Sequence, residues 1–221
     1  AAFVVSEKGT DSDGYSTFHY QFDRCGTLST ASSVIYRDYG ATQMRARGAA
    51  KSHRDGWQAQ ESMAVTVQGA RLTHGNSDIR YDTDELGRIA RRLELFEIDG
   101  SPGKNHTTYR FDSQHRLIRA QTTSTHSFFD ETREFTYDNN GRLVRVSSAK
   151  GTLQLMWHED GRWLSSKREV NHPYSVQETV RVCEKWDERN NCLRGSVSET
   201  EKYARESLQT RYAFTQAFQY D

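Results

Sequence analysis

The chain has 221 residues, 30 basic against 30 acidic side chains, and a mean hydropathy of −0.89. Its 11% aromatic content with no charge excess argues for a folded chain rather than disorder. The balanced charge opposes nucleic acid as a partner, and no apolar run is long enough for a transmembrane helix.

The chain opens "AAFVVSEKG" with no Met, which reads as a mature end left by signal-peptide removal and places the protein in the periplasm or outside the cell. Residues 1–14 are set apart as an N-terminal segment, and 15–221 are expected to form a single β domain. "FDRCGTL" at 22–28 then introduces a phrase that recurs: an aromatic, an Asp (Asp23), two loose positions, and a Gly (Gly26). Asp at the head of a turn accepts a backbone N–H two residues on, and glycine takes the positive φ that closes a three-residue hairpin loop.

"MRARGAAKSHR" at 44–54 is the one clearly basic segment, with Arg45, Arg47, Lys51 and Arg54 suited to an acidic protein surface or an acidic glycan. It runs into "SHRDGWQ" at 52–58, a weaker copy of the phrase with His53 and Gly56, followed by Trp57. "YDTDELGRI" at 81–89 supplies Asp84 and Gly87, and "FDSQHRL" at 111–117 supplies Asp112 with His115 in the glycine slot. His and Asn tolerate positive φ better than most residues, so such exchanges are chemically sensible. Between these copies, "GSPGK" at 100–104 has the wrong spacing for a phosphate loop and reads as a turn.

"HSFFDE" at 126–131 sets Phe128 beside Phe129, so in a strand one of them faces outward as a candidate binding anchor. "FTYDNNGRLVRV" at 135–146 is the fullest copy, with Asp138 and Gly141 between two alternating strands. "WHEDGRW" at 157–163 keeps Gly161 with His158 in the Asp slot, and "WDERNNCL" at 186–193 keeps Asp187 with Asn190 in the glycine slot. Trp57, Trp157, Trp163 and Trp186 all lie at or near these turns, where they serve either the repeat or a stacked sugar ring. If Asp187 pairs with Asn191, Cys192 lies opposite Trp186 and Cys183 opposite Gly195. That register puts 183 and 186 on opposite faces and opposes a disulfide between Cys183 and Cys192, whereas a local bulge would allow one. Both states stay open. Cys25 sits at a hairpin tip as a solvent-facing or disulfide-linked thiol.

Copies spaced about 30 residues apart describe an all-β fold, a long antiparallel meander of quasi-repeated hairpins with about fourteen to sixteen strands. A curled open sheet and a partial barrel are both compatible with it.

On "YDNNGRL", which matches in full, and on the degenerate copies around it, the chain resembles the YD-repeat (RHS-repeat) family over roughly residues 15 to 221. In large relatives such repeats wind into a shell that encloses a toxin domain, and family members are associated with carbohydrate binding and cell-surface recognition. With too few repeats for a shell, this chain is similar to the small secreted or periplasmic members, some of which serve as immunity partners that block secreted toxins.

No nucleophile elbow, zinc-protease or dinucleotide motif occurs, and the eight histidines form no i, i+2 or i, i+4 pair. Neither a metal nor a cofactor is expected. The sequence is therefore expected to specify a non-catalytic protein that binds a secreted enzyme or toxin, with a carbohydrate-binding envelope module as the alternative.

Overall fold

The computed structural model describes the backbone of residues 3–11, 14–23 and 27–220. Cys25, Gly26 and Asp221 lie outside the described residues. Sixteen strands among the described residues form an all-β antiparallel meander, as the alternation and the turn spacing anticipate. The chain divides into two compact units, one of Ala1–Tyr109, Gln121–Asp130 and Ala217–Asp221, the other of Arg110–Ala120 and Glu131–Gln216.

In the first unit β1 (Phe3–Asp11), β2 (Gly14–Phe22), β3 (Leu28–Tyr39), β4 (Thr42–His53), β5 (Gly56–Val67), β6 (Ala70–Thr83), β7 (Ile89–Ile98) and all but the last two residues of β8 (Ser101–Phe111) pair in chain order. Residues 3–11, set apart in the sequence as an N-terminal segment, form a strand that pairs with β2 from Phe3↔Phe22 to Asp11↔Gly14. Period-2 alternation sorts the side chains onto two faces. On β4, Met44, Ala46, Gly48 and Ala50 are half-buried while Arg45, Arg47, Ala49 and Lys51 are exposed. The register carries the covered face through Ala59, Ile79, Phe96, Asn105 and Thr107, all of them buried. Glu94 lies on this face too, accepting hydrogen bonds from Asn105 Nδ2 at 2.7 Å and Arg92 Nη1 at 2.8 Å. Burial pushes its carboxyl upward, but the Asn105 bond and the Arg92 charge outweigh this and hold it below the ordinary value.

The second unit holds the first half of β9 (Leu117–Ser124), then β10 (Glu131–Tyr137), β11 (Leu143–Ser148), β12 (Gly151–Trp157), β13 (Trp163–Asn171), β14 (Val176–Trp186), β15 (Cys192–Lys202) and most of β16 (Ser207–Tyr220). Its core is Cys183, Cys192, Val197 and Phe214, with Trp163, Trp186 and Tyr212 packed against it. Cys183 and Cys192 are disulfide-bonded, with Cα atoms 5.9 Å apart. The pairs Trp186↔Cys192 and Cys183↔Gly195 do form, but two register shifts between Cys183 and Trp186 bring the two sulfurs together. The bulge, rather than the regular ladder, makes the bond geometrically accessible.

The repeated phrase builds one turn several times. Asp84, Asp112, Asp138 and Asp187 each donate their backbone N–H to the carbonyl four residues on, at 2.8–2.9 Å. Their Oδ1 atoms accept the N–H groups two and four residues on. Oδ2 takes the fourth residue's side chain: Arg88, Arg116 and Arg142 through Nε at 2.7–2.8 Å, and Asn191 through Nδ2 at 2.9 Å. The glycine slot is left-handed whatever fills it, with φ of 75° at Gly87, 63° at His115, 77° at Gly141 and 66° at Asn190. Asp23 keeps the pattern's ends, its Oδ1 accepting Thr27 N–H at 2.9 Å.

Two copies depart from it. In 157–163 Gly161 keeps its φ of 92°, but Asp160, not the residue in the Asp slot, supplies the carboxylate. It accepts the Arg162 N–H at 3.1 Å and pairs with the guanidinium at 2.8 Å. The copy at 52–58 is a tight two-residue hairpin in which His53 pairs directly with Gly56, so it does not contain the five-residue turn.

The aromatic before the turn also has a definite task. Tyr137 Oη donates to Leu117 O at 2.8 Å, Trp157 Nε1 to Leu143 O at 2.8 Å, and Trp186 Nε1 to Trp163 O at 3.0 Å. Each acceptor is the residue that follows the preceding repeat's Arg. That Arg lies over the same aromatic in two cases, with Arg116 4.9 Å from the Tyr137 ring centre and Arg162 5.3 Å from that of Trp186. Asp, Arg, aliphatic and aromatic therefore form one latch between successive hairpins of the second unit.

Candidate functional site

The exposed face of the first unit carries the basic segment. Regular antiparallel pairing places Val34, Arg47, Ser62 and Asn76 in one cross-strand row, and Ser32, Ala49, Gln60, Asp78 and Leu95 in the next. A third row runs through Lys51, Gln58, Arg80 and Leu93. The middle row is low at β3 and β4, where Ser32 and Ala49 are small, and long side chains stand on either side. The outcome is a pair of contiguous depressions of about 600 and 590 Å³ that share Ala49, Gln60 and Asp78 and together reach from β3 to β7.

Charge in this trough is uneven. Arg45, Arg47 and Lys51, and Arg54 in the β4–β5 turn, make no ion pair among the described residues. Arg80, by contrast, is held by Asp82 at 2.6 Å, which Arg91 also approaches at 3.7 Å. The one carboxylate of the middle row, Asp78, accepts a hydrogen bond from Gln60 Nε2 at 2.9 Å. The β4 end is thus cationic, while the β7 end carries Leu93 and Leu95, the latter 53% exposed. Beside Arg45 in the cross-strand register lies Tyr36, whose phenol is pushed up by desolvation and by its hydrogen bond to Asp38.

Of the residues singled out in the sequence, the structure brings Arg47 and Lys51 to this trough and sets Arg45 along the same strand face. The rest lie elsewhere. Phe128 and Phe129 are not in a strand: Ser127–Phe129 is a single 3-10 turn, closed as Asp130 Oδ1 accepts the Ser124 N–H at 2.7 Å. Phe129 meets buried Phe96 edge-on at 5.2 Å, and Phe128 stands against Phe129, 75% exposed. Trp57 donates its indole N–H to Leu28 O at 2.8 Å, Trp157 is a latch, and Trp163 packs on the disulfide core. Asp84, Gly87, Asp112, Asp138, Gly141, Gly161 and Asp187 are turn residues.

Gln60, Asp78, Leu93 and Leu95 join the site without a sequence signal, since only the cross-strand register places them beside β4. Among the described residues no group of three or more His, Cys, Asp or Glu could hold a metal ion, and no helix is long and apolar enough to cross a membrane.

No protein-family model and no curated protein matches the chain. Among solved structures it is similar to a porin-like protein from Bacteroides uniformis, at a TM-score of 0.56 and 8% identity, covering 99% of this chain and 97% of that one. A second match, to TcdB2-TccC3 without its hypervariable C-terminal region, has a TM-score of 0.32 and 12% identity over 92% of this chain and 12% of that one. At these identities the first likeness is one of fold alone, and the second carries no argument.

Proposed function

We propose that this chain is a non-catalytic binding protein, an inhibitor or immunity partner of a secreted enzyme or toxin, acting in the bacterial periplasm. The observation that carries the reading is the broad trough of the first unit, whose β4 end presents Arg47 and Lys51 with no ion pair among the described residues. A surface of that kind favours fast and selective association with a complementary protein face. The Cys183–Cys192 bond suits an oxidising compartment.

The chemically strong groups are already engaged in holding the turns. Oδ1 and Oδ2 of Asp84, Asp112, Asp138 and Asp187 are occupied by backbone N–H groups and by Arg or Asn side chains, so these carboxylates serve the turns. The glycan alternative draws less support, because Trp57, Trp157, Trp163 and Trp186 are all half-buried and Arg162 already lies over the Trp186 ring. A lipid-facing wall would need one apolar face. Here Arg47 and Lys51 lie on one face of the first unit and Arg92 and Glu94 on the other.

The test is affinity capture from envelope and secreted fractions of the native organism in moderate salt, with mass spectrometry of the retained material. A single stoichiometric enzyme whose activity falls on addition of this protein supports the reading. Polysaccharide alone, or an empty eluate, removes it.

A further inference from the structure

We infer that the trough across β3–β7 receives an extended segment of a partner protein that is acidic at one end and apolar at the other, an inference resting on the protein-binding reading above. Arg47 and Lys51 stand on opposite banks of Ala49, two residues away on either side of the same strand face. A strand rises about 3.3 Å per residue, so each cation is roughly 7 Å along the strand from Ala49. A carboxylate lowered onto Ala49 lies within reach of both long side chains, and small Ser32 beside it leaves the space open.

From β4 to β7 the trough crosses three strand spacings, about 14 Å. That is the reach of roughly four extended residues. At its far end Leu93 and Leu95 offer apolar surface in place of a cation, and Asp78 in between repels a second carboxylate. The pattern that fits is therefore one or two acidic residues, a polar uncharged step over Gln60 and Asp78, and an apolar residue about four positions from the acid. A uniform polyanion fits poorly, because its charge would continue over Asp78 and the leucines. This end-to-end asymmetry favours a peptide over an acidic polysaccharide.

The probes are the labelled hexapeptide Asp-Asp-Ser-Ser-Leu-Leu and its reverse sequence, read by fluorescence polarisation with the full chain, and a heparin-derived oligosaccharide as the polyanion. At least one peptide orientation is expected to bind. Binding should weaken about tenfold in the Arg47→Gln/Lys51→Gln variant, as for loss of one or two charge-assisted contacts. It should weaken severalfold in Leu95→Ser and remain unchanged in Arg211→Gln, a substitution in the second unit. All four positions are exposed, and unchanged circular dichroism confirms that each variant is folded.

Binding of neither orientation overturns the proposal. So does an oligosaccharide that binds more tightly than either peptide and is indifferent to Leu95→Ser. An enzyme captured equally by wild type and by Arg47→Gln/Lys51→Gln would keep the protein-binding reading and remove this site.

Discussion

Replacing Gly141 tests the repeated turn where it is most exposed to refutation. Its φ is +77°, and a Cβ built there meets no atom within 4 Å. Alanine therefore incurs only the backbone cost of the left-handed region, about 1–2 kcal/mol. Reduced freedom of the unfolded chain returns a few tenths to 1 kcal/mol, for a net loss of about 1 kcal/mol, or roughly 2–4 °C in a chain of this length. Asparagine tolerates the same conformation, as Asn190 does in the equivalent slot at φ 66°. Gly141→Asn should then melt within about 1 °C of wild type. Gly151 is the contrast. An added Cβ there would lie 2.0 Å from the carbonyl oxygen of Glu169, at a φ of +155°. Backbone on a paired strand cannot yield, so Gly151→Ala should cost at least about 3 kcal/mol. Thermal melts followed by tryptophan fluorescence suit all three variants, because Trp157, Trp163 and Trp186 share the second unit with both glycines. Equal losses for Gly141→Ala and Gly141→Asn, or a harmless Gly151→Ala, would refute the turn geometry described here.

Acid should loosen the same turns. Backbone N–H and guanidinium of Arg142 hold Asp138 below its ordinary 3.8; at Asp160 desolvation pushes the other way, but the bonds from Arg162 prevail and bring it to about 2. A carboxyl depressed on folding stabilises above its unfolded value and loses that contribution as pH falls through its folded one. Stability should thus decline from about pH 3.8 toward 2, and Asp138→Asn should flatten that limb in pH-dependent urea melts. Tyr137→Phe removes the hydrogen bond to Leu117 and should cost about 1 kcal/mol, while Tyr137→Leu also loses the Arg116 face contact and should cost about 0.5–1 kcal/mol more in the same melts. Removing the bond that closes the Cys183–Cys192 loop, by Cys183→Ala/Cys192→Ala, should lower stability by about 2.5–3 kcal/mol on loop-closure entropy. A reductant should then shift the melting of wild type but not of this variant.

The turns were legible because their requirements are local. A carboxylate two residues from an N–H and a left-handed slot three residues on can be read from five consecutive letters, and His115 and Asn190 were recognisable as occupants of that slot. What lay beyond reach depended on contacts between hairpins. The latch requires knowing that Tyr137 faces Leu117 and Trp157 faces Leu143, which follows from strand register rather than from either phrase alone. Register also decides the disulfide that the sequence leaves open, since two shifts within four residues supply the bulge that allows it. At 126–131 the sequence suggested a strand, but a carboxylate closing onto Ser124 and a Phe96 surface available to Phe129 favour a 3-10 turn. The trough behaves in the same way: its cations stand in one segment, but Gln60, Asp78, Leu93 and Leu95 reach it from three other strands.

These two kinds of residue occupy different places in the fold, and that separation bears on function. Few side chains are deeply buried among the described residues, Phe214 being the one below 2% exposure. Much of the order therefore comes from the backbone ladders between consecutive strands and from hairpin ends, where the second unit ties each turn to the next through carboxylate, guanidinium and aromatic. Stability built from neighbour-to-neighbour links is spread along the chain rather than concentrated in one core. Mid-strand positions on an exposed face are then free of structural duty. Arg47, Ala49 and Lys51 can be exchanged at little cost to folding, which is the condition a recognition surface needs if it is to be fitted to one partner while the repeated phrase stays fixed.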